Sequence, residues 1–279
     1  MKMKNKIWHV IYYQLIKRHY FGVTSSIRVL PDFLIIGAKR CGTTSLFTYL
    51  PEHPSIIESH HDNMGFFNDN YHLGVNWYKS FFPTIFTKKR IEKEQGKCLS
   101  FDDTPFYIYN PQVVRRIHEN FPNSKMILLL RNPVDRAYSN YNLSPNRKLT
   151  FEETIENEIN EIQNTNLELK DESYLVNDFY EKILPRGFYA KQLEVWYQIF
   201  SKEKILIKSS EDFANNTDEV LNEIFDFLDV KQVKIKDITK HNVRKFPPME
   251  QKTRDYLIEF FKPHNESLYK LINEKFDWN

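Results

Sequence analysis

Lys39 and Arg40 stand between Gly37 and Gly42, which have four residues between them and are followed by Thr43, Thr44 and Ser45. Cations, hydroxyls and glycines packed this closely suit the gripping of an anion. The glycines let backbone N–H groups approach a ligand closely. The hydroxyl residues open a helix whose first N–H groups lack partners within it, and the helix dipole adds partial positive charge at the same place. The frame is that of the P-loop, G-x-x-x-x-G-K-[ST]. One change alters its chemistry: Thr43 holds the lysine position, and the positive charge is moved inside the loop. Glycines are also common in ordinary strand-to-helix turns, so the loop by itself indicates an anion without naming one. Cys41 reads as a small loop residue, with a catalytic thiol as the alternative.

A second candidate grip follows the apolar run 125–130, where Arg131 is joined eight residues later by Ser139. Arginine can hold a phosphate through two parallel hydrogen bonds. A structural ion pair between Arg131 and Asp135 is the competing reading. His60-His61-Asp62 invites a metal interpretation, but adjacent histidines chelate poorly without other ligands. A solvated or acceptor-facing loop is the better reading, and no metal is expected.

The elements that must position these residues alternate. Buried strands are expected at 33–37, 97–101, 125–130 and 204–208, and helices at 43–50, 75–82, 111–120, 151–163, 189–200, 217–228 and 251–261, with a loop at 58–74. Pro111 suits the first turn of its helix. Asp102-Asp103-Thr104-Pro105 reads as a turn after a strand. Such alternation predicts an α/β fold with a central parallel sheet and helices on both faces. Ligands of such sheets sit beyond the carboxyl ends of the strands. The 37–45 loop, Asp102-Asp103 and Arg131 all fall at such ends.

The chain has 279 residues, a net charge of +2 and only 7 glycines, so the two loop glycines carry weight. The near-neutral charge argues against nucleic acid as a partner. The 2 cysteines form no disulfide framework, which points to a cytoplasmic setting. The segment 1–31 is treated apart from a domain at 32–279 because it opens with Lys2, Lys4 and Lys6 and continues into an apolar run at 7–16. That run is shorter than the roughly 20 residues a bilayer span needs, and it carries no small-residue cleavage site. It suits peripheral contact with an anionic membrane face, or a helix packed on the domain.

Taken together, these segments resemble the sulfotransferases. Ile35-Ile36-Gly37-Ala38-Lys39-Arg40-Cys41-Gly42-Thr43-Thr44-Ser45-Leu46 resembles their 5′-phosphosulfate loop, and Arg131 with Ser139 resembles their 3′-phosphate motif. The similarity continues through Gly74-Val75-Asn76-Trp77-Tyr78, Thr104-Pro105-Phe106-Tyr107 and Arg186-Gly187-Phe188-Tyr189-Ala190. It ends with Pro247-Pro248-Met249 and Phe276-Asp277-Trp278. The nearest types are the heparan-sulfate-type and bacterial carbohydrate sulfotransferases.

The resemblance implies transfer of a sulfuryl group from 3′-phosphoadenosine 5′-phosphosulfate (PAPS) to a hydroxyl or amine of a carbohydrate or glycolipid. It implies donor contacts from Lys39, Arg40, Cys41, Gly42, Thr43, Thr44, Ser45, Arg131 and Ser139. Tyr189 falls in the family's nucleotide-side segment, and Arg244 and Lys245 in a basic segment that closes over the nucleotide. The residue that steadies the leaving oxygen is usually a lysine two places before the second glycine, where Arg40 stands beside Lys39. Relatives take their general base from the glutamate of K-E-x-H-F-F-D. Alignment on Phe66-Phe67 puts Asn63 there, and an amide is no useful base. The base is therefore expected at Asp62, His61 or Asp103, with His60 and Asp102 as further candidates. A P-loop kinase or hydrolase, and a nucleotide-binding relative without catalysis, are the alternative functions.

Overall fold

The computed structural model describes residues 22–143, 148–164, 182–236, 238 and 246–278. Most of the 1–31 segment, and Arg244 and Lys245, lie outside these residues. The strands β1 (Phe33–Gly37), β2 (Ile56–Glu58), β3 (Leu99–Asp103), β4 (Lys125–Leu130) and β5 (Ile205–Ser209) form one parallel sheet in the order β2-β3-β1-β4-β5. A parallel sheet covered on both faces needs strands that are apolar without alternation. β1 is buried at all five positions, and β4 at all but its first. The chain leaves β1 towards β2 and β3 on one side, and reaches β4 and β5 on the other. That reversal opens a crevice at the carboxyl ends of β1 and β4.

Helices α1 (Thr43–Tyr49), α2 (Gly74–Lys79), α3 (Ile85–Gln95), α4 (Pro111–Asn120) and α5 (Pro133–Leu143) connect the first four strands or follow them. They are followed by α6 (Phe151–Asn164), α7 (Tyr189–Tyr197), α8 (Ser210–Asn215), α9 (Thr217–Phe227) and α10 (Gln251–Ile272). α10 lies against α7 and α5. The N-terminus of α4 shows why sequence was sufficient there. Pro111 needs no hydrogen-bond partner in the first turn, and Asn110 caps the helix by accepting from Gln112 N–H at 2.9 Å.

Three expectations need correction. β3 runs through Asp102 and Asp103, where the sequence predicts a turn. Asp102 tolerates its strand position because its carboxylate accepts hydrogen bonds from Tyr78 (2.7 Å), Tyr107 (2.8 Å) and Thr104 (2.8 Å) hydroxyls. α10 continues through Pro263 to Ile272, because Leu257, Phe261 and Leu268 bury one continuous stripe. β2, α3 and α8 were not expected: β2 has three residues, too few to show a period, and no residue of α3 is buried.

Candidate functional site

The loop after β1 holds the anion-binding frame. Gly37 is required by space: a Cβ there would meet Ile108 Cγ2 at 2.8 Å. Gly42, with φ 94°, caps α1 in the left-handed region that favours glycine. Arg40 also has a left-handed backbone, with φ 76°. Such a conformation costs a non-glycine residue about 1–3 kcal/mol, and it is kept where surrounding structure demands it. Its consequence here is visible, since Arg40 is turned into the crevice. Its Nε and Nη2 donate to Ser139 Oγ at 3.1 and 3.0 Å.

The crevice is a cavity of about 430 Å³. Arg40, Gly42, Thr43, Thr44 and Ser45 line it from the β1–α1 junction, and Arg131, Asp135, Tyr138 and Ser139 from the β4–α5 junction. Ser210, Glu211 and Ala214 of α8 and Phe246 complete the wall. Two strand–turn–helix junctions therefore face one space, as the spacing of their motifs suggested. The competing pair of Arg131 with Asp135 is not formed; Asp135 is paired with Arg254. Arg131 Nη1 lies 3.5 Å from the Arg40 carbonyl oxygen, so the two arginines share one wall.

Lys39 and Arg40 separate. Lys39 does not line the cavity; its ammonium lies over the Phe106 ring, 4.4 Å from the centroid. Burial lowers its pKa to about 8, helped by the neighbouring charges of Arg186, Arg40 and Arg136. Cys41 is fully buried, and burial pushes its thiol up to about 11. That removes the thiolate a nucleophile would need at neutral pH. Tyr189 is buried behind the loop, and its hydroxyl donates to the Arg131 carbonyl oxygen at 2.9 Å. It reaches the site by holding the Arg131 turn.

The candidate base positions occupy the carboxyl ends of β2 and β3. His61 and Asp62 have side chains 56% and 55% exposed, with His61 Nδ1 3.6 Å from Asp62 Oδ1. His61 Nδ1 also lies 2.5 Å from the Asp62 carbonyl oxygen. A carbonyl can only accept, so this contact is made with a proton on Nδ1. Asn63 has a left-handed backbone with φ 52°, and its N–H donates to the Asp103 carbonyl oxygen at 2.7 Å. Asp103 is buried, and its Oδ1 has no hydrogen-bond partner among the described residues. Burial, with Asp102 and Asp62 nearby, pushes its carboxyl well above the usual carboxylate range. Asp102 is fully enclosed and serves the three hydroxyls described above.

Sequence reasoning missed two groups. Glu211 accepts from Asn132 N–H (3.0 Å), from Ser209 Oγ (3.1 Å) and from Trp278 Nε1 (3.1 Å), tying the end of the described chain to the site. Its place just after β5 was the available signal. Arg136, fully buried under the loop, had none, because its surroundings come from distant segments. Among the described residues, no group of three or more His, Cys, Asp and Glu could hold a metal ion.

With this geometry in place, comparison with known proteins is direct. The family profile described as "Sulfotransferase domain" matches residues 30–267. Membrane-associated sulfotransferase kil1 of Dictyostelium discoideum is 29% identical, over 92% of this chain and 68% of that protein. Bifunctional heparan sulfate N-deacetylase/N-sulfotransferase 4 of Mus musculus is 28% identical, over 88% of this chain. The match spans 30% of that mouse protein's length. Among solved structures, a sulfotransferase from Alicyclobacillus acidocaldarius superposes with a TM-score of 0.65 at 26% identity, covering 89% of this chain and 98% of that one.

Proposed function

The chain belongs to the sulfotransferase family, and from that premise we propose that it moves a sulfuryl group from 3′-phosphoadenosine 5′-phosphosulfate to a hydroxyl or amine of a carbohydrate or glycolipid. The observation that carries the donor assignment is the single cavity shared by Arg40, Arg131 and Ser139. The residues fit a nucleotide with an anionic group at each end. Guanidinium groups and α1 N–H groups offer charge and hydrogen bonds, and Tyr138, Ala214 and Phe246 offer apolar surface. The volume of about 430 Å³ falls within the roughly 300–1,000 Å³ of small-molecule sites.

In this scheme Arg131 and Ser139 hold the 3′-phosphate, and Thr43, Thr44 and Ser45 hold the 5′ side. Arg40 stands where negative charge grows on the bridging oxygen as the sulfur–oxygen bond breaks. His61 Nε2 takes the acceptor's proton as sulfur bonds to the acceptor's oxygen or nitrogen. Its Nδ1–H is held by the Asp62 carbonyl, and the Asp62 carboxylate faces the imidazolium that results. The exposed pair is better placed than Asp103 to meet a large acceptor, since Asp103 is 3% exposed. The carbohydrate acceptor is supported by the mouse relative, whose name gives it heparan sulfate as substrate. Membrane contact through the 1–31 segment is supported by its basic, apolar sequence and by the name of the amoebal relative.

Calorimetric titration with 3′-phosphoadenosine 5′-phosphate tests the donor site. Wild type should bind, and Arg131→Ala should bind far more weakly; a wild type that does not bind removes the reading. Mass spectrometry of a carbohydrate and glycolipid library incubated with the sulfate donor tests transfer. Tight nucleotide binding with no acceptor sulfated would assign instead a binding protein without catalysis.

A further inference from the structure

Helix α3 has no role in the site described above, and its composition is unusual. It reads Ile-Phe-Thr-Lys-Lys-Arg-Ile-Glu-Lys-Glu-Gln and buries none of its residues. A helix without a buried stripe contributes little to a core. α3 is held at its edges instead. Thr84 caps it by accepting from Thr87 N–H at 3.2 Å, and Lys88 pairs with Asp32 at 2.6 Å. That pair sets which side faces the protein. The opposite side carries Phe86, Lys89, Arg90 and Lys93 at spacings of three, four and seven residues, which places them on one face.

All four are exposed, and Phe86 is 65% exposed. No described carboxylate is ion-paired with Lys89, Arg90 or Lys93. Glu94, four residues after Arg90, sits at the edge of this face. From Gly22 onward the described chain runs to the start of α3: Arg28 bridges to Thr84, and Val29 N–H donates to the Pro83 carbonyl at 3.0 Å. Val23, on that approach, is 80% exposed. Before it the sequence holds Lys2, Lys4, Lys6, Lys17 and Arg18 around an apolar run.

We propose that the Phe86–Lys89–Arg90–Lys93 face of α3 is a docking surface for an anionic lipid bilayer. The three cations are drawn to negative headgroups, and Phe86 enters the boundary between headgroups and acyl chains. The exposed ring is what favours a bilayer over a soluble polyanion, which would reward the cations alone. His60 N–H donates to the Phe81 carbonyl at 2.8 Å, so the loop proposed to meet the acceptor is anchored just ahead of this face. The docking surface itself does not depend on the transfer chemistry.

The test is co-sedimentation of the full chain with phosphatidylcholine vesicles, with and without phosphatidylserine. Wild type should bind the anionic vesicles, and raised salt should weaken that binding. Each basic residue near an anionic leaflet is worth about fivefold in partitioning, so Lys89→Gln, Arg90→Gln and Lys93→Gln together should weaken binding on the order of a hundredfold. Phe86→Ser should weaken it with all charges kept. All four residues are exposed, so an unchanged thermal melt will accompany these effects. Triple-variant binding equal to wild type overturns the proposal, as does binding that Phe86→Ser leaves unchanged. Loss of heparin binding in the triple variant, with no vesicle binding by wild type, also overturns it and assigns a polyanionic partner.

Discussion

The two halves of the site are built in different ways. The proposed donor half consists of two strand–turn–helix junctions, at β1–α1 and β4–α5, on adjacent strands. Its polar groups are set by the backbone: the ends of helices, a left-handed glycine, and an arginine at a strand end. The proposed acceptor half is the irregular stretch 59–65 lying against the end of β3. His61 and Asp62 stand exposed there, while Asp103 is buried beneath them. A polyanionic nucleotide can be held by repeated backbone geometry. An acceptor needs side chains that vary with its shape, and such residues are best carried on a loop. The proposed donor half is thus the more constrained by its backbone, and the proposed acceptor half the less.

That contrast can be broken by substitution. His61→Ala should lower kcat by roughly 10²–10⁴-fold, the usual worth of a general base, while leaving 3′-phosphoadenosine 5′-phosphate affinity unchanged. Turnover kept in His61→Ala, Asp62→Asn and Asp103→Asn alike would remove the acceptor-half assignment. Arg40→Ala should cost kcat about 10²–10³-fold, with recovery of part of that loss in Arg40→Lys. A loss seen only in KM would make Arg40 a binding group. Arg131→Ala should weaken nucleotide binding by roughly 10–100-fold, as expected for charge-assisted hydrogen bonds, read by calorimetry.

Two smaller effects depend on pH. The raised carboxyl of Asp103 binds its proton more tightly in the folded state than in the unfolded state. The resulting stability is complete below the ordinary carboxylate range and is lost as pH rises towards the raised value. Asp103→Asn should flatten that decline and raise Tm at neutral pH by roughly 2–4 °C, measured by thermal melts across pH. Lys39 has the opposite sign. It sheds its proton near pH 8, well before an ordinary lysine. Nucleotide affinity should fall modestly as pH rises through 8 in wild type, and that step should vanish in Lys39→Met. A step that persists would assign the titration to another group.

The two junctions that line the cavity were legible for a physical reason. β1 and β4 are continuous apolar runs ended by glycine or arginine, and both were delimited correctly from sequence. The Pro111 helix start was equally local. α3 was not legible because its residues answer to solvent and leave no buried stripe. Asp103 was misread because an aspartate pair normally breaks a strand, and only the hydroxyls of Tyr78, Thr104 and Tyr107 make Asp102 acceptable within β3.

Sequence by itself determined the α/β class, the family and the positions of the two turns that line the cavity, since each rests on residues close together in the chain. Tertiary structure decided which of Lys39 and Arg40 faces the cavity. It also decided that Asp135 pairs with Arg254 and leaves Arg131 to the cavity, and that Glu211, held by Trp278, lines one side. Those outcomes depend on charge, burial and hydrogen bonds between segments far apart in sequence, and such contacts exist only once the chain has folded.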